Sequence, residues 1–120
     1  MRQIKFRAWN KKIGQFHYFD LINIGSVTRD FTIAQWVEMP KQQFTGLLDK
    51  NGKEIYEGDI VQHYDGQKFK VEYVDGRFKA IRPRYPMFDD ERDLWTFGEA
   101  ITIIGNIYES KHLLKETPNE

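Results

Sequence analysis

The sequence predicts a mostly β fold, made of antiparallel hairpins in small SH3-like, barrel-like subdomains with a short C-terminal helix. Three observations carry that expectation. Ile, Val and Thr total 23 against 10 for Leu plus Ala, and branched side chains suit a pleated sheet better than a helix. Asp-Gly dipeptides at Asp65-Gly66 and Asp75-Gly76 separate runs of alternating apolar and polar residues, which is the signature of hairpins. Aromatics make up 15% of the chain, which excludes a disordered or low-complexity polypeptide. At 120 residues the chain has the length of one domain and needs no disulfide or metal to hold it.

The elements follow in order. Ile4, Phe6 and Ala8 alternate with Lys5, Arg7 and Trp9, the period of a half-buried strand. Asn10 to Gly14 reads as a turn, and Gln15 to Phe19 as the return strand. Residues 21–39 fit two descriptions. Thr32 to Val37 has strand content, yet Asp30 or Thr32 has the chemistry to cap a short helix. Pro40 closes this region, Gln42 to Leu48 reads as extended, and Asp49-Lys-Asn-Gly52 as a tight turn.

The stretch 60–82 predicts a three-strand meander. A two-residue Asp75-Gly76 turn sets Val74 opposite Arg77, Tyr73 opposite Phe78, Glu72 opposite Lys79 and Val71 opposite Ala80. Opposite residues share a face, so Phe69, Val71, Tyr73, Phe78 and Ala80 are expected buried. Lys68, Lys70, Glu72, Arg77 and Lys79 are expected wet. For the preceding turn, a three-residue loop over Asp65 to Gln67 is favoured, pairing Val61 with Val71 and His63 with Phe69. Pro83, Pro86 and the acids Asp89, Asp90, Glu91 and Asp93 predict a surface loop over 83–98. Ala100 to Ile104 reads as a strand, and Gly105-Asn106 permits a turn or bulge. Ser110 is placed to cap a short helix carrying Leu113 and Leu114, with a frayed tail from Thr117. The organisation expected is one domain over 1–120, divisible into β subdomains at about 1–48 and 49–116.

Composition narrows the chemistry. Cysteine is absent, which excludes disulfides, thiol catalysis and every Cys-ligated metal centre. The alternating charges after Met1 leave no apolar run for a signal peptide, and Ala100 to Ile104 is too short to span a bilayer. A cytoplasmic protein with no membrane partner is expected. His17, His63 and His112 lack metal-ligand spacing, and Ser26 and Ser110 lie in no nucleophile elbow. The 89–93 cluster lacks the alternation and sixth-position glycine of a calcium loop. Glu54, Glu57 and Asp59 invite an acid–base reading, but Gly58-Asp59 reads better as a turn in which Asp59 binds backbone amides. No catalytic residue, metal or cofactor is expected.

Charge is balanced at 18 against 18, which argues against a strongly electrostatic nucleic-acid binder. Its distribution is uneven. Lys68, Lys70, Arg77, Lys79, Arg82 and Arg84 cluster on or after the meander, near Tyr64 and Tyr85. Such a face offers charge for phosphate and rings for bases. The plainer reading is a solvated strand face with a Glu72–Lys79 cross-strand pair, or a patch covered by the acidic loop.

The run Gln43-Phe-Thr-Gly-Leu-Leu-Asp-Lys-Asn-Gly-Lys-Glu-Ile-Tyr-Glu-Gly-Asp-Ile-Val61 resembles the YopX family of bacteriophage and prophage proteins. Ile4-Lys-Phe-Arg-Ala-Trp9 and Ile104-Gly-Asn-Ile-Tyr-Glu109 resemble that family's two other common blocks, in the family's order. Phe44 stands where the family often has Tyr. The resemblance implies a phage- or prophage-encoded protein of the bacterial cytoplasm with a mostly β fold of barrel-like subdomains. The family carries no established activity, so the resemblance supplies no catalytic residue.

Three function classes follow. The leading one is a non-enzymatic binding or assembly module, with a homo-oligomer or an unidentified phage or host protein as partner. The second binds nucleic acid through Lys68, Lys70, Arg77, Lys79, Arg82 and Arg84. The third is an enzyme using the scattered carboxylates or His63.

Overall fold

The computed structural model describes residues 3–82, 90–98 and 100–114. Expectations for Pro83, Arg84, Tyr85, Pro86, Asp89 and the tail from Thr117 lie outside these residues. The protein is mostly β, as its composition predicts. The chain divides into two compact units, Met1–Gly46 and Leu47–Glu120. No helix among the described residues is long and apolar enough to cross a membrane.

The first unit is built on β1 (Lys5–Asn10), β2 (Gln15–Asp20), α1 (Ile24–Thr28), α2 (Ile33–Glu38) and β3 (Lys41–Leu48), the last of which runs past Gly46. β2, β1 and β3 lie side by side in that order, and β1 is antiparallel to both neighbours. Ala8, Phe19 and Met39 form the buried centre, packed by Phe6, Val27, Phe31 and Trp36.

Residues 33–38 are helical despite their strand-like content. The Thr32 hydroxyl accepts the Gln35 N–H at 3.1 Å, while the Gln35 side chain accepts the Thr32 N–H at 2.8 Å. This reciprocal capping satisfies two donors that a helix start leaves unpaired. Trp36 is then held with its ring 5.0 Å from Phe19. Local capping and one half-buried ring outweigh β-branched propensity over so short a segment.

In the second unit β4 (Glu54–Tyr56) leads through Gly58 into β5 (Asp59–His63). β6 (Lys68–Val74), β7 (Arg77–Arg82), β8 (Asp90–Asp93) and β9 (Ile101–Asn106) complete a five-stranded sheet in the order β8-β7-β6-β5-β9. Among the described residues the sheet stays open: β8 and β9 form its ends and do not join to close a barrel. Ile55, Val61, Phe69, Val71, Ala80, Leu94, Phe97 and Ile101 form its core. Burying a side chain such as Phe69 contributes about 1.5–3 kcal/mol.

The β6–β7 hairpin has the predicted register, with Val74, Tyr73, Glu72 and Val71 opposite Arg77, Phe78, Lys79 and Ala80. Phe69, Val71 and Ala80 are buried as expected, but Tyr73 is 53% exposed. It lies next to the hairpin tip, beyond the core, with its ring 4.9 Å from Phe78.

The β5–β6 register differs from the expected one. Val61 faces Phe69 and Gln62 faces Lys68, so the three loop residues are Tyr64, Asp65 and Gly66. The His63 N–H closes the loop on the Gln67 carbonyl at 2.8 Å. A three-residue hairpin loop needs positive φ at its last position. Gly66 meets that need at φ 96°, whereas a loop ending on Gln67 would not.

The acidic segment expected as loop is a strand from Asp90 to Asp93, antiparallel to β7, followed by a 3₁₀ turn over Leu94–Phe97. Leu94 and Phe97 anchor that turn in the core. β9 pairs with β5 through a bulge: Ile60 faces Gly105 and Val61 faces Ile103, leaving Ile104 as the extra residue. A 3₁₀ turn over Lys111–Leu114 follows Ser110.

Candidate functional site

Strand alternation and the β6–β7 register bring four of the six predicted cations to one face. Lys68 and Lys70 lie on β6, with Arg77 and Lys79 beside them on β7. Arg82 alternates to the other face with Phe78 and Ala80. Arg84 lies outside the described residues.

Carboxylates are interleaved with these cations. Lys70 pairs with Glu72 at 3.1 Å, Arg77 with Asp93 at 3.1 Å and Lys79 with Glu91 at 3.2 Å. The expected Glu72–Lys79 ion pair is therefore replaced, although the two residues do stand opposite one another. Lys79 faces Asp93 and Ile81 faces Glu91 in the ladder. Arg77 and Lys79 thus each reach past their own partner position to the acid of a diagonal neighbour, a distance long side chains span. Such exposed pairs are each worth about 0–1 kcal/mol. Their larger effect is on the field, because β8 sets negative charge along the basic strand.

The other candidates are spread out. The buried Asp59 carboxylate accepts the Tyr56 N–H at 2.8 Å, the turn role its Gly58 neighbour predicts. Glu54 lies within 3.4 Å of the Tyr56 hydroxyl. His63 sits against Asp65 at 3.1 Å, with Tyr64 and Phe97 rings alongside. His17 contacts Asn10 and the Phe31 ring in the first unit. His112 is exposed on the last 3₁₀ turn.

Asp49, within the long signature run, has a structural task. One carboxylate oxygen accepts the Asn51 and Lys53 N–H groups, and the other accepts the Ile103 N–H. Burial opposes its charge, but these donors, Ile103 foremost, and the Lys53 charge hold its pKa below the ordinary aspartate value.

The sequence reading missed exposed aliphatic side chains on the first unit. Leu21, Ile22, Ile33 and Val37 are all exposed, Ile22 at 95% and Ile33 at 85%. Ile33 and Val37 are four apart on α2, so they share a face, while Trp36 turns inward onto Phe19 and Phe31. A helix apolar on both sides ordinarily has a cover on each. The i, i+4 spacing of Ile33 and Val37 is the signal, and it acquires meaning only once the segment is known to be helical.

The chain is similar to known proteins in sequence and in fold. The family model described as YopX protein matches residues 5–115. Among solved structures, the chain is similar to protein EF1440 from Enterococcus faecalis, known from its crystal structure. The two are 26% identical with a TM-score of 0.62, over 96% of this chain and 100% of that one. No curated protein matches the chain.

Proposed function

Since the chain belongs to the YopX protein family, we propose that it is a non-enzymatic binding or assembly module of phage or prophage biology, working in the cytoplasm of a bacterial host. The observation that carries this reading is the exposed aliphatic face of Ile33 and Val37 on α2, in a unit that also exposes Leu21 and Ile22. Ile33 and Val37 share one face of α2, and an apolar face left open to water marks a site of association. Burying each such side chain contributes about 1.5–3 kcal/mol. The test compares the purified chain with its Ile33→Lys and Val37→Lys variants in light scattering and in capture of host proteins. Self-association or capture that the substitutions abolish is expected. A monomer that captures nothing would overturn the reading.

Single-stranded nucleic acid is the second reading. What favours it is the placement of Lys68, Lys70, Arg77 and Lys79 on one face, with Tyr64 exposed nearby in sequence. In that mode phosphate displaces Glu72, Asp93 and Glu91 from their cations. Affinity then falls steeply with salt. Equal binding at low and high salt, or none at low salt, excludes it.

A further inference from the structure

At its loop end the β5–β6 hairpin turns two polar side chains to the core side of its sheet. Val61 and Phe69 face each other and are buried, so alternation puts His63 and Gln67 on that same side, opposite one another. The His63 ring lies 5.5 Å from Phe97 and 4.1 Å from Tyr64, centroid to centroid. Arg92 reaches the same place from β8, its Cζ 5.9 Å from the Phe97 ring and 5.7 Å from that of Phe69.

The folded chain leaves hydrogen-bonding capacity unused here. Gln67 Oε1 is buried with no donor, a state that costs stability and calls for a reason. His63 Nδ1 lies 3.3 Å from the Asp65 N–H and 3.1 Å from the Asp65 carboxylate. The other ring nitrogen, Nε2, bonds to no described residue, and it donates or accepts according to which nitrogen holds the proton. Beside them Tyr64 is 85% exposed. The Gln67 N–H, His63 and the Arg92 charge hold the Asp65 carboxyl below the ordinary aspartate range, so it is ionised.

These groups fit a flat ligand with donors and acceptors on its edge. Tyr64 offers a face for stacking, the contact that aromatic side chains make with bases. The Gln67 amide carries an acceptor beside a donor, the pattern that matches adenine N6 and N7. No hydrogen bond to a described residue holds the amide inward, so it turns toward a ligand without first breaking one. An aliphatic ligand would leave the amide unpaired. A bare phosphate would have no use for the Tyr64 ring and would meet the Asp65 charge.

We propose that Tyr64, His63 and Gln67 form a binding site for a nucleobase, adenine foremost, stacked on Tyr64 with its edge toward Gln67 and His63. The inference goes beyond the assembly reading, and it differs from the basic-face reading in resting on base contacts that salt does not screen. The base arrives as a free nucleoside or within a single strand.

The test titrates the isotope-labelled full chain with adenosine, cytidine, guanosine and uridine, which carry no phosphate, and follows it by nuclear magnetic resonance. Adenosine should shift the Gln67 side-chain amide and His63 ring signals at low and high salt alike. Tyr64→Ala should weaken binding about tenfold. Gln67→Met should erase the preference for adenosine and also raise the urea midpoint, because an apolar group of similar shape replaces an unpaired amide. A midpoint that falls instead would show the amide occupied in holding the fold and would overturn the site. A short single strand of deoxyadenosines, with and without one abasic position, identifies the carrier. Tighter binding than adenosine assigns the strand, and equal affinity assigns the free nucleoside. An abasic strand that binds as well as the intact one would overturn the proposal, as would ribose 5-phosphate producing the same shifts. So would the absence of any base-dependent shift from nucleosides and strand together.

Discussion

The Asp49 carboxylate accepts the backbone N–H of Ile103 at 3.0 Å, joining positions 54 apart in sequence. Beside it the Lys50 N–H donates to the Ile101 carbonyl at 2.9 Å. Together these bonds occupy part of the outer edge of β9, so the 49–52 turn stands in for a neighbouring strand. The same carboxylate closes its own turn through Asn51 and Lys53 at 2.8 and 2.9 Å.

Asp49 is 3% exposed, so removing it strands donors that water reaches poorly. Asp49→Ala is expected to destabilise the second unit by about 2–4 kcal/mol, given about 1.5–3 kcal/mol for a hydrogen bond to a charged group. The urea midpoint measured by circular dichroism checks this. A loss below about 0.5 kcal/mol would mean that the edge contact is incidental.

The pH dependence follows from the depressed Asp49 pKa. As pH falls, the unfolded chain takes up this proton before the folded chain does. The contribution is whole above the ordinary carboxylate value of about 4 and disappears as pH drops through the lower folded value. Urea midpoints of the wild type and Asp49→Asn should converge between about pH 6 and about pH 2. A gap that widens on acidification contradicts the assignment.

Gly105 sits in the bulge of β9, where an added Cβ would lie 2.5 Å from both Cβ and Oγ of Ser110. Gly105→Ala should cost about 1–3 kcal/mol through overpacking. Ser110→Gly in the same chain should recover part of it. Thermal melts of the single and double variants decide this, and equal melting points for the two would place the cause elsewhere.

The acid on β8 tempers the basic face, so Glu91→Gln with Asp93→Asn releases Lys79 and Arg77 from their partners. Fluorescence anisotropy with a labelled single-stranded oligonucleotide should then show tighter, salt-sensitive binding than the wild type. Unchanged affinity at low salt would remove the basic face from consideration.

The β6–β7 register was readable because a two-residue turn at Asp75-Gly76 is local chemistry, and strand alternation carries it outward. The β5–β6 register turned on a similarly local fact, the positive φ of Gly66, and went two residues astray when the loop was ended on Gln67 instead. Tyr73 shows the limit of alternation. It assigns the correct face, but depth depends on where the core ends.

The sequence by itself determined the β class, the turns at Gly52, Gly66 and Gly76, the alternating core face of Phe69, Val71 and Ala80, and the family. These rest on backbone conformation and two-residue periodicity, which are properties of short segments. Tertiary structure alone decided the rest. It buries Arg7, with its Nε donating to Gln42 at 2.7 Å and its guanidinium over Phe16. It sets Trp36 of the capped 33–38 helix against Phe19 and draws the acids of β8 along the cations of β7. Each outcome depends on partners distant in sequence, and burial and ion pairing are set by which groups the folded chain brings together.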